Sequence, residues 1–287
     1  MSPRQFYVSA NGIQQSVYEW AGTGTPLLFV HATGFHARMW DAVIELLPGV
    51  HAYAVDMRGH GLSDKPAPPY DWKTVGADIA ALSAALGLTG ALGVGHSMGG
   101  HVLTYAQAHH PALFGAQLLV DPVILPEAYY IGALEGDHFT TRRRADWSSP
   151  DEMFDKFKTR TPFAKWPARA LRDYVTYGLL PKPEGGYTLA CPPAVEGALY
   201  MHSSAANIYP EIAQIDIPVT VMRAKTTLEV NPALDFTVSP TAPDLASRFQ
   251  RGTDVYLPEH THFIPMEAPQ IVAEHIQRLL GDRNSLP

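Results

Sequence analysis

Cysteine is nearly absent. The 287 residues hold one, Cys191, so no internal disulfide can form and nothing in the fold depends on an oxidising compartment. Charge is also sparse: 17% of residues are charged against 46% hydrophobic, which excludes a disordered chain and supplies a sizeable core. Positive charge is in deficit, with 21 Lys plus Arg facing 28 Asp plus Glu. The formal net charge of −7 repels nucleic-acid backbones and anionic lipid, so neither nucleic acid nor membrane is expected as a partner. No run approaches the ~20 apolar residues of a membrane span, and the first residues lack the basic-then-apolar order of a secretory signal. The expectation is a cytoplasmic protein with a small-molecule substrate; the sequence leaves its oligomeric state open. Despite 13 histidines, no spacing matches H-E-x-x-H or a Cys/His cluster, so no metal and no cofactor are expected.

What is present is a repeating pattern. Stretches 6–9 and 14–20 flank Asn11-Gly12, the dipeptide of a tight hairpin, and predict two antiparallel edge strands. Short, continuously apolar runs follow at 26–31, 51–55, 91–95, 116–120, 218–222 and 254–257, as strands buried on both faces require. Helical periodicity at 75–87, 98–110 and 269–280 separates several of them. Strand alternating with helix predicts an α/β fold, a mostly parallel central sheet flanked by helices, with ligands at the carboxyl ends of the strands. From 122 to 215 no buried strand is evident, only aromatic-rich helical patches at 151–158 and 168–178. This predicts a core of 1–121 and 216–287 interrupted by an inserted helical cap, 122–215.

The chemistry begins where a buried strand runs into a helix, at Gly95-His96-Ser97-Met98-Gly99-Gly100. This is the G-x-S-x-G pattern in the strand-to-helix context it needs. Glycines at 95 and 99 let the chain turn sharply and leave the Ser97 hydroxyl exposed at the sheet edge, beside a helix N-terminus that favours negative charge. Here the sequence resembles the α/β-hydrolase fold superfamily, over nearly the whole chain outside the cap. The resemblance implies a serine nucleophile at Ser97 and an oxyanion hole from the backbone N–H groups of Met98 and of Thr33, in His31-Ala-Thr-Gly-Phe35. Ala32 stands where relatives have glycine. Asp56-Met-Arg-Gly-His-Gly-Leu-Ser-Asp64 is also similar to a family segment, one that shapes a turn. His260 and His262 both fall where the family keeps its catalytic base; His262, followed by Phe263, fits the pattern better.

The acid departs from the commonest arrangement. After the strand at 218–222 the usual slot holds Thr227, and the nearest carboxylate is Glu229. The alternative is Asp121, at the end of the strand after the nucleophile helix, where pancreatic-type lipases and zearalenone lactonases carry theirs. Asp121 is the preferred assignment and Glu229 the alternative, with Asp235 behind them; either of the first two keeps the Ser, acid, His order. His36 and Met39, in the oxyanion loop, are candidate substrate contacts. Arg142, Arg143 and Arg144 read as a solvated surface, and the cap aromatics as pocket wall or as the cap's own core. Cys191, outside the elbow, is not a candidate nucleophile.

The reaction these residues imply is hydrolysis of a carboxylic ester, lactone or thioester through an acyl-enzyme. A serine at the elbow excludes the haloalkane dehalogenase and epoxide hydrolase branches, which need a carboxylate there. Carbon-carbon bond hydrolysis, perhydrolysis and a non-catalytic receptor on the same scaffold remain as alternatives.

Overall fold

A computed structural model describes residues 2–134, 136–226 and 235–284. Asn11 and Gly12 both take positive φ, 50° and 76°, as a tight primed turn demands, and join β1 (Arg4–Ala10) to β2 (Ile13–Trp20). Then follow β3 (Thr23–Val30), β4 (Val50–Val55), β5 (Ala91–His96) and β6 (Phe114–Val120). After the insert, which holds β7 (Asp146–Trp147), β8 (Leu179–Pro181) and β9 (Tyr187–Leu189), come β10 (Val219–Ala224) and β11 (Gly252–Leu257). Among the described residues the main sheet has eight strands in the order β1-β2-β4-β3-β5-β6-β10-β11; β1, β2 and β4 pair antiparallel and the rest parallel.

The unbroken apolar runs follow from covering both faces. In β3, Leu28 and Val30 pack beneath the helices Trp72–Ala85 and Met98–His109, while Leu27 and Phe29 face Trp40 and the helix Pro269–Asn284. Burying each such side chain stabilises the fold by about 1.5–3 kcal/mol, and truncating Leu28 to Ala costs about 2–5 kcal/mol once the cavity is counted. The first of these helices starts because Asp71 caps it, accepting the Thr74 N–H at 2.9 Å, and ends just before Gly87 at φ 68°.

The insert, expected as a helical cap without an evident buried strand, is mainly helical and also holds a small sheet. Helices Pro150–Phe157, Ala168–Tyr177 and Pro193–His202 are joined by an antiparallel sheet in the order β7-β9-β8. Strands of two or three residues are too short to show an alternation in sequence. Trp147, Met153, Trp166, Leu171 and Tyr174 of the insert share one apolar cluster with Phe35, Met39, Phe263 and Met266, so the insert sits on the loops at the strand ends.

Candidate active site

Ser97 lies between β5 and the helix Met98–His109 at φ 58° and ψ −121°, a conformation rare for a residue with a β-carbon. Close packing holds it there. A β-carbon on Gly99 would lie 2.2 Å from the Val30 carbonyl oxygen, and one on Gly95 would lie 2.5 Å from that of Gly99. The Ser97 N–H donates to the Val120 carbonyl at 3.1 Å, which ties the turn to β6.

Asp121, one residue past β6, takes positive φ (44°) and is wholly buried. Its Oδ1 accepts the Ala224 N–H at 2.7 Å and the Ser239 hydroxyl at 2.6 Å, and its Oδ2 lies 2.6 Å from His262 Nδ1. His262 Nε2 lies 3.0 Å from Ser97 Oγ. The structure thus brings Ser97, His262 and Asp121 into one chain of hydrogen bonds. His260 points elsewhere, its Nδ1 3.4 Å from Glu267. Asp235 accepts from Thr237 instead, and Glu229 lies outside the described residues. His96, inside the elbow motif, packs against His262: its Nε2 donates to the His262 carbonyl at 2.7 Å, and burial holds its pKa well below the ordinary histidine value.

Thr33 and Met98 meet beside Ser97, the Thr33 hydroxyl donating to Met98 Sδ at 3.4 Å. Neither backbone N–H has a partner among the described residues. The turn that shapes this loop belongs to Gly34 at φ 79°, whose N–H donates to His60 Nε2 at 3.0 Å. His60 Nδ1–H donates in turn to the Arg58 carbonyl at 2.9 Å, so the ring is neutral, and burial holds its pKa down to about 4. Asp56 ties the same loop to the next turn, accepting the N–H groups of Ala37 at 2.8 Å and Leu62 at 2.9 Å.

Ser97 and His262 open into a cavity of about 330 Å³. Neither His36 nor Met39 lines it, which corrects their expected place at the substrate. His36 Nε2 turns to the Tyr174 carbonyl at 3.2 Å and Met39 is buried in the aromatic cluster, because the chain enters a short helical turn after Gly34 and leaves Phe35 at the wall. The wall includes residues that the sequence did not single out, Thr140, Arg160, Glu196, Tyr200 and Phe236. Arg143, expected on a solvated surface, faces inward: its Nη1 lies 2.5 Å from Glu196 Oε2 and its Nη2 donates to the Tyr174 hydroxyl at 3.0 Å. Burial raises the Glu196 pKa above the ordinary value while Arg143 opposes the rise. Glu196 and Tyr200 sit one turn apart on the helix Pro193–His202. A signal for that helix exists, since Pro193 occupies its first position, but in sequence Cys191-Pro-Pro reads as loop punctuation.

A parallel sheet with a serine at a strand-to-helix elbow and its partners on neighbouring strand-end loops defines an enzyme class, hydrolases built on an α/β sheet. The chain belongs to the alpha/beta hydrolase family, whose model matches residues 27–275. 2-(Acetamidomethylene)succinate hydrolase of Mesorhizobium japonicum is 28% identical over 253 residues, 86% of this chain and 87% of that protein. N-formylmaleamate deformylase of Pseudomonas putida is 38% identical over 119 residues, 41% of this chain and 44% of that protein. A crystal structure of E-2-(acetamidomethylene)succinate hydrolase shares the fold with a TM-score of 0.76 at 23% identity, covering 97% of this chain and 99% of that one. No helix among the described residues is long and apolar enough to cross a membrane.

Proposed function

We propose that the protein is a serine hydrolase that cleaves a carboxylic ester, lactone or thioester through an acyl-enzyme on Ser97. The observation that carries this reading is the hydrogen-bonded chain from Asp121 Oδ2 through His262 to Ser97 Oγ. Asp121 holds the proton on Nδ1, so Nε2 presents a lone pair to the hydroxyl and takes its proton as Oγ attacks the acyl carbon. Negative charge then builds on the acyl oxygen, and the free N–H groups of Thr33 and Met98 are the donors assigned to it. His262 returns its proton to the leaving group. Water then attacks the acyl carbon as it gives a proton to His262, the bond from that carbon to Ser97 Oγ breaks, and His262 passes the proton to Oγ as the acid leaves.

Segments 1–121 and 216–287 form the catalytic core in this reading, and 122–215 is the cap that selects the substrate. In support, the insert supplies Arg143, Phe163, Tyr174, Glu196 and Tyr200 to the wall of the cavity that Ser97 opens into. The names of two relatives, an acetamidomethylene-succinate hydrolase and an N-formylmaleamate deformylase, add N-acyl compounds to the classes worth assaying.

The test is covalent labelling by an organophosphonate together with turnover of short p-nitrophenyl esters. The expected result is one label, on Ser97, with turnover abolished in Ser97→Ala. Folded protein that neither labels nor turns over sinks the reading in favour of a binding protein.

A further inference from the structure

The wall of the cavity beside Ser97 has two characters. Phe157, Phe163, Phe236 and Phe263 make it apolar, while Arg143, Arg160 and Glu196 bring full charges into the same space. Two guanidiniums against one carboxylate leave a single positive charge.

The pairing shows where that charge resides. Glu196 is committed to Arg143 at 2.5 Å. Elsewhere in the insert Arg144 pairs with Glu152, Arg169 with Glu45 and Asp173, and Arg172 with Asp151. Arg160 pairs with no described carboxylate. It follows the helix Pro150–Phe157, is exposed to solvent, and belongs to the stretch 160–163 that lines the cavity. Arg143 also keeps capacity: a guanidinium has five N–H donors, and only those to Glu196 and the Tyr174 hydroxyl have described partners.

We propose that the cavity receives an acyl substrate carrying one free carboxylate, held by the Arg160 guanidinium with the spare donors of Arg143. For the reaction, though not for the binding, this rests on the serine-hydrolase reading. A planar guanidinium is weakly hydrated and its fork matches a carboxylate; the exposed Arg160 supplies the accessible charge and the half-buried Arg143 the donors that are less open to water. A single uncompensated charge suits a carboxylate better than a phosphate monoester, which brings nearly two negative charges at neutral pH. Glu196 is then a positioning residue that fixes the plane of Arg143. Hydrolysis of such a half-ester breaks the acyl C–O bond, consumes one water, and releases the alcohol and a dicarboxylic acid.

The test compares mono-p-nitrophenyl succinate with p-nitrophenyl butanoate, which share the length of the acyl chain and differ in the terminal carboxylate. Wild-type protein is expected to favour the succinate by about 3- to 10-fold in kcat/KM, chiefly through KM, as an exposed guanidinium helped by a half-buried one allows. In Arg160→Gln that ratio collapses toward one, and Arg160→Lys restores part of it by returning the charge without the fork. A second readout needs no turnover: calorimetric binding of succinate to Ser97→Ala protein, weakened about threefold or more when Arg160→Gln is added. Equal use of the two esters by wild type, or a ratio unchanged in Arg160→Gln, overturns the proposal while leaving the hydrolase reading standing. Arg160-dependent succinate binding with no acylation of Ser97 by either ester supports the carboxylate site and overturns the hydrolase reading instead.

Discussion

Replacing Asp121 with Asn changes one oxygen to an amide nitrogen and leaves the shape of the side chain unaltered. The surroundings dictate which end becomes nitrogen. Asp121 Oδ1 accepts the backbone N–H of Ala224 at 2.7 Å and the Ser239 hydroxyl at 2.6 Å, and the Ala224 N–H cannot rotate away, so the amide carbonyl must stay on that side. Its NH₂ then faces His262 Nδ1, where the carboxylate oxygen stood at 2.6 Å. Two donors cannot share that contact. The ring therefore moves its proton to Nε2, which points at Ser97 Oγ and can no longer accept the serine proton. The expected loss is on the order of 10⁴ in kcat, or about 5.5 kcal/mol of barrier, with KM little changed and the thermal melt close to wild type. Steady-state turnover of p-nitrophenyl acetate measures it, with Glu229→Gln alongside and expected to lose little. An Asp121→Asn enzyme within about tenfold of wild type, or the larger loss in Glu229→Gln, removes Asp121 from the role of triad acid.

Gly99→Ala places a β-carbon 2.2 Å from the Val30 carbonyl oxygen, a backbone atom that cannot swing aside. Stability should fall by about 3 kcal/mol or more in urea titration, and residual folded protein should lose turnover as the elbow shifts. His36, His60 and His101, ordinarily near 6.5, are each held down to about 4 by burial. The unfolded chain therefore binds more protons than the native one between those values. Their contribution is complete above about pH 6.5 and is lost as pH falls toward about 4, so the urea midpoint should drop between about pH 7.5 and about pH 5; a flat or rising midpoint contradicts this. Phe163→Ala removes an aromatic ring from the cavity wall. The preferred acyl length in a p-nitrophenyl ester series should move to longer chains, and an unchanged optimum places that part of the wall outside the acyl site.

Most of the sheet is legible in sequence because each buried strand is a short apolar run between turn residues. Bounds drift by a few residues where pairing extends past the apolar part, as in β3, which begins at Thr23 and carries a bulge before Leu27. The elbow is legible because the glycines at 95 and 99 have a steric reason that no other residue satisfies. The preference for Asp121 over Glu229 comes from its place at a strand end, where the sequence resembles the lipase arrangement, and in the structure Asp121 Oδ2 lies 2.6 Å from His262 Nδ1. The cavity wall is far less readable. Arg143 sits among three consecutive arginines that look alike in sequence; only the fold turns the middle one toward Glu196, fifty-three residues away. His36 and Met39 mislead because they share a loop with Thr33, whereas the turn at Gly34 sends them behind the wall. Partners far apart in the chain carry no local signature, and a substrate wall consists of such partners.

Acylation of Ser97 is measured directly by mass spectrometry of protein mixed with p-nitrophenyl acetate and quenched in acid within the first turnover. One acetyl group is expected, on the peptide containing Ser97. The adduct should disappear in Ser97→Ala and fall steeply in His262→Ala. An adduct on Cys191 or another residue, or turnover that persists in Ser97→Ala with no adduct, contradicts an acyl-enzyme on Ser97.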